Sequence, residues 1–184
     1  MVFFHHNNGT FWIFLLALIR APVKVSVYTP LTPQSKLRLN SGQSLPDPEA
    51  YHSVVGCLQY LALTHPNLSY GVNKLTQFMH HPTDEHWEVV KRTLWYLQQT
   101  SDHCLFIRCS SPLALQAFSY ADWADNPDDY TSTWAFFIFL GVNAISWSSH
   151  KQRTVARSST EAEYMFAAST AAEIRWLIST CYLL

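Results

Sequence analysis

Residues 115–149 read LQAFSYADWADNPDDYTSTWAFFIFLGVNAISWSS. Three short runs within it, 115–123, 132–141 and 143–149, are rich in aromatic and β-branched residues, the composition of strands. Between the first two stands NPDD (126–129), a cluster of turn formers, and the Gly141-Val142-Asn143 junction predicts a tight hairpin between the last two. CLFIRC (104–109) has the same strand-like character, with Cys104 and Cys109 expected on opposite faces. After HKQRTVARSS the period changes, and EAEYMFAASTAAEIRWLISTCYLL (161–184) reads as a closing helix.

The chain ahead of the strands is helical. In PDPEAYHSVVGCLQYLALT (46–64), Asp47 is placed to cap a helix and Pro48 to occupy its first position, with Val54, Val55, Leu58, Leu61 and Ala62 at helical spacing. PNLSYGVNKLTQFMHH (66–81) predicts a second helix. Pro82 and Thr83 introduce a third, DEHWEVVKRTLWYLQQT (84–100), with Trp87, Val90, Leu94 and Leu97 as its apolar stripe. Pro22, Pro30, Pro33 and Pro46 make residues 20–47 a connector. The fold class is therefore α+β: helices, then strands, then one helix.

Composition sets the outer limits. The 184 residues are 48% apolar and include seven tryptophans, enough for a real core. Twelve basic and 13 acidic residues give a net charge of −1, which argues against charge-driven binding to nucleic acid. Cys57, Cys104, Cys109 and Cys181 have no zinc-site spacing and read as buried apolar fillers in a reducing compartment. TFWIFLLALI (10–19) is too short to span a bilayer and lacks a basic leader, so no membrane association is expected and an intracellular location is favoured.

Acids on a strand and on the following helix suit a site that holds Mg²⁺ and activates water. The candidates are Asp122 near the end of a strand and Glu163 in the first turn of the closing helix. Glu161 and Glu163 lie about 200° apart around a helix, so only one can face the sheet. A competing reading is capping: Ser158 with Glu161, or Thr160 with Glu163, each matches the S/T-x-x-E box. His80, His81 and His86 straddle a helix junction without metal-ligand spacing.

YHSVVGCLQYLALTHPNLSYGVNKLTQFMHHPTDEHWEVVKRTLWYL, SYADWADNPDDYTSTWAFFIFLG, ISWSSHKQRTVARSSTEAEY and AAEIRWL together resemble plant copia-type retrotransposon Pol polyproteins, over roughly residues 45–180. The resemblance implies three parts. Residues 1–44 are an N-terminal segment and connector, and 45–103 a helical region joining reverse transcriptase to RNase H. Residues 104–184 are the first half of an RNase H-like domain, three antiparallel strands and the first helix. In that family the enzyme cuts RNA in RNA–DNA hybrids with Mg²⁺ held by carboxylates, and Glu163 matches the glutamate of the family's S-T-E-A-E-Y motif.

Departures from the family motif are specific. Its S-D-A-D-W aspartate is replaced by Tyr120, a phenol that cannot serve Mg²⁺ as a carboxylate does. Asp122 remains on the same strand face but about 6.6 Å further along. Trp95, Gln98 and Gln99 replace basic positions. The family's next strand and its aspartate are not found before Leu184, which leaves LQAFSYADW with an open edge suited to association with another chain. The expectation is a degenerate, truncated Pol fragment with weak or no nucleic-acid binding and no productive Mg²⁺ site. Two alternatives stand beside it: a residual RNase H using Asp122 and Glu163, and a nucleic-acid-binding remnant using Lys91, Arg92, Lys151, Arg153 and Arg157.

Overall fold

Asp47 opens the first helix as its sequence suggests: its carboxylate accepts the backbone N–H of Glu49, 3.1 Å away, and Pro48 fills the first helical position. The computed structural model describes residues 26–32 and 37–181, so the apolar run at 10–19 lies outside the described residues. Helix α1 (Pro48–Ala62) is followed by a 3-10 turn (Pro66–Leu68), α2 (Ser69–Thr76) and α3 (Asp84–Gln99). Strands β1 (Leu115–Asp122), β2 (Thr133–Leu140) and β3 (Asn143–Lys151) then precede α4 (Ser159–Cys181). The α+β class and the order of elements stand as expected. Among the described residues no helix is long and apolar enough to cross a membrane.

The predicted second helix divides in two, because Pro66 and Asn67 enter through a 3-10 turn before α2 begins. Helix α3 starts on a capping box in which Thr83 pairs with His86 in the place usually taken by Glu or Gln. The main core lies among the helices. Tyr51, Val54, Val55, Leu58, Leu68, Val72, Leu75, Val90 and Leu94 are all buried there, and the Tyr51 hydroxyl donates to the Leu75 carbonyl at 2.8 Å. Burial pushes that phenol's pKa upward.

The sheet is antiparallel in the order β1-β2-β3. Gly141 and Val142 form the two-residue loop between Leu140 and Asn143, and Gly141 has φ +62°, as a hairpin turn with glycine first requires. One face of the sheet carries α4. Ala121 and its partner Trp134 pack there against Ala162 and Phe166, whose ring stacks on Trp134 at 5.4 Å. The other face meets the helices. The Trp147 indole N–H donates to the Ala62 carbonyl (2.8 Å), and Asn73 donates to the Ser149 hydroxyl (3.3 Å).

Two expectations are corrected. CLFIRC is not a strand: residues 104–109 carry no ladder, and Leu105, Phe106 and Ile107 are exposed. Strand-like pairing is confined to the Asn143 carboxamide, which accepts from Arg108 N–H at 2.7 Å and donates to Arg108 C=O at 2.9 Å. A side chain offers one residue's worth of pairing, whereas a strand needs a ladder. The thiols of Cys104 and Cys109 are accordingly exposed and that of Cys57 half-buried, so none of these is a buried filler.

Candidate functional site

The two glutamates of SSTEAEY have separate environments. The Ser158 hydroxyl accepts Glu161 N–H at 3.1 Å, and the Glu161 carboxylate reaches back to Arg157 N–H at 2.7 Å. This is the Ser158/Glu161 form of the capping box, placed one residue early on its return arm. Neither glutamate takes the sheet-facing position, because Ala162 occupies it and is fully buried. Glu163 is exposed and lines a cleft of about 420 Å³ between α4 and β1. Ser119, Tyr120, Ala121, Thr160 and Tyr164 complete most of its wall, and Asp122 does not line it.

Asp122 is engaged elsewhere. The pKa of its carboxyl is raised from the ordinary value by partial burial and then by the Asp125 charge, with Lys74 opposing. Lys74 of α2 forms an ion pair with Asp125. The pKa of the Tyr70 phenol, also on α2, is pushed up to about 12, first by burial and then by the charges of Asp125 and Asp122. Tyr120 opposes Ala135 and Asp122 opposes Thr133, so both project from the sheet face opposite the one that carries Ala121 and Trp134. Sequence reasoning missed Lys74, Tyr70 and Asp125. Asp125 was visible three residues after Asp122, but Lys74 lies 51 residues from it, a separation that no local pattern bridges.

Comparison with known proteins decides the family. The chain is 49% identical over 175 residues to the retrovirus-related Pol polyprotein from transposon RE2 of Arabidopsis thaliana, a match covering 95% of the chain. It is 47% identical over a further match of the same extent to the Pol polyprotein from transposon RE1 of that plant. The chain belongs to the copia-type retrotransposon Pol polyproteins. It spans 12% of the length of these two relatives. An uncharacterized mitochondrial protein of Arabidopsis thaliana is 47% identical over 150 residues, covering 80% of this chain and 62% of that protein. No family model matches the chain, and no solved structure matches it.

In this Pol segment the remaining candidates are dispersed. Lys91 pairs with Glu88 on the same helix, Lys151 with Asp129 across the sheet end, and Arg92 donates to the Thr29 hydroxyl at 3.4 Å. The Lys151 and Thr131 contacts hold the Asp129 pKa below its ordinary value, against a burial effect that raises it. Arg153 and Arg157 are exposed. His86 is fully buried, whereas His80 and His81 face solvent. Among the described residues no three His, Cys, Asp or Glu side chains converge as a metal-binding group.

Proposed function

We propose that this Pol segment contains the opening half of an RNase H-like unit that does not hydrolyse RNA in RNA–DNA hybrids. The observation that carries the reading is the make-up of the cleft beside α4. Glu163 is the one carboxylate among its lining residues, Tyr120 stands where the family motif has aspartate, and Asp122 lies outside the lining, near the Asp125 that Lys74 pairs with. Mg²⁺-assisted hydrolysis of a phosphodiester draws on several converging carboxylates, because a hard divalent ion takes anionic oxygens in a tight octahedral shell. A single glutamate does not fit that ion, so no hydrolytic step is assigned to these residues.

The test is a gel assay of the purified chain on an end-labelled RNA–DNA hybrid with Mg²⁺. No cleavage above the buffer control is expected. Cleavage that disappears in Glu163→Gln would overturn the proposal and favour a residual nuclease. In that case Tyr120→Asp should raise the rate further.

A further inference from the structure

Lys74 reaches from α2 into a group of oxygens at the end of β1 and in the loop after it. Its ammonium pairs with Asp125, and the lysine side chain is only 11% exposed. Tyr70 lines the same cavity as Lys74 and Asp125, and Asp122 stands close enough for the charges of Asp125 and Lys74 to act on its carboxyl. The ammonium lies 5.6 Å from the centre of the Tyr70 ring, within cation–π range. A positive charge, covalently part of the neighbouring helix, thus sits where two carboxyls from strand and loop meet.

We propose that Lys74 is a tethered counter-cation that occupies the Asp122–Asp125 pair in place of a soluble divalent ion and clamps α2 to the end of β1. The inference rests on the reading that the nuclease-like unit is inactive, and it supplies a cause beyond the substitution at Tyr120. A metal ion entering the group would have to displace the ammonium from Asp125. Removing the ammonium takes away the cation that pairs with Asp125 and acts on Asp122. A cavity of about 110 Å³ lined by Tyr70, Lys74, Gln77, Asp125 and Asn126 gives an incoming ion room beside Asp125. The Gln77 carboxamide nitrogen is buried in the same region without a hydrogen-bond partner.

The probe is terbium(III), a hard oxygen-seeking cation whose luminescence is sensitised by nearby tyrosine. Wild type, Lys74→Met and Lys74→Gln are titrated at constant ionic strength, with Lys91→Met as a control for net charge and circular dichroism to verify folding. Both Lys74 variants are expected to bind terbium at least about tenfold more tightly than wild type, since a nearby cation is the dominant repulsion removed. Adding Asp122→Asn should cancel the gain, and Lys91→Met should show none. Equal affinity in wild type and both folded variants, or a gain that survives Asp122→Asn, would overturn the clamp. A second readout uses the wild type alone. Acetic anhydride should acylate Lys74 severalfold more slowly than Lys91, as mass spectrometry reads it, and comparable rates would also overturn the proposal. Hybrid cleavage by the wild type would instead sink the inactive-nuclease reading, so the two failures are distinguishable.

Discussion

His86 shows how much one side chain can be asked to do. Its Nδ1 accepts the Thr83 backbone N–H at 3.1 Å, which fixes the proton on Nε2, and Nε2–H donates to the Arg38 carbonyl at 3.1 Å. The ring also stacks on Phe78 with centroids 4.0 Å apart. Protonation would place a second hydrogen on the nitrogen that must accept, in a fully buried position. Burial accordingly lowers the pKa of His86, with the Arg38 carbonyl and the charges of Glu85, Asp128 and Asp84 opposing. Because the folded state holds this group neutral, its contribution is present above the unfolded pKa of about 6.5 and is lost as pH falls below that value toward the folded pKa. Thermal unfolding should therefore show Tm falling between pH 7.5 and 5.5, with a visibly flatter slope in His86→Ala. That variant should also lose roughly 2–4 kcal/mol at pH 7.5, from the missing cap and the cavity together. An unchanged slope would show that some other group governs the acid limb.

At the scale of elements, backbone chemistry decides where helices begin and how the connecting segments dock on them. Gly42 has φ +77°, and a β-carbon there would lie 2.1 Å from the Asp84 carboxylate oxygen that accepts the Gln43 N–H. This is how the connector docks on the first turn of α3, alongside the Leu45 N–H to Pro82 C=O bond of 3.1 Å. Gly42→Ala should cost about 1–3 kcal/mol in urea denaturation, through left-handed strain and loss of that docking. Such local devices were readable. Asp47-Pro48, Thr83 and the Gly141-Val142 turn each act through residues within three positions, so the sequence displays both partners. CLFIRC shows where that legibility stops. Its composition is that of a strand, yet no strand is offered to it among the described residues, and the deciding partner, Asn143, is 35 residues away. Asn143→Ala should free this segment. Limited trypsin digestion should then cut after Arg108 at least several times faster than in wild type, while the α1–α3 peptides stay protected.

The candidate site divides along the same line. Glu163 could be singled out because its motif is continuous in sequence, and its cleft is formed by one helix turn against one strand. The occupation of Asp122 could not, since it depends on how α2 lies against the sheet, an outcome of tertiary packing. That packing also sets the balance of stability across the whole molecule. Among the described residues, twelve buried side chains form the helical core, whereas three form the cluster under α4. Of the described part of α4, Ala162, Phe166 and Thr170 alone are buried, at a four-residue spacing that ends there, and Trp176 and Ile178 beyond it are exposed. Apolar burial contributes about 25 cal/mol per Å², so the sheet and α4 hold far less of the folding free energy than the helices do. The contacts between the two parts include the Lys74–Asp125 ion pair and the hydrogen bonds of Trp147 to Ala62, Asn73 to Ser149, and Asn126 to Gln77 at 3.2 Å. Polar contacts of this kind each add on the order of 1 kcal/mol, too little to make the smaller core as durable as the larger. Native-state hydrogen exchange should therefore find the amides of α1 and α3 slowest. Those of β1 and of α4 beyond Thr170 should exchange at least about a hundredfold faster, as sub-global opening. Equal protection in both parts would mean that the polar seam couples them into one cooperative unit despite their unequal cores.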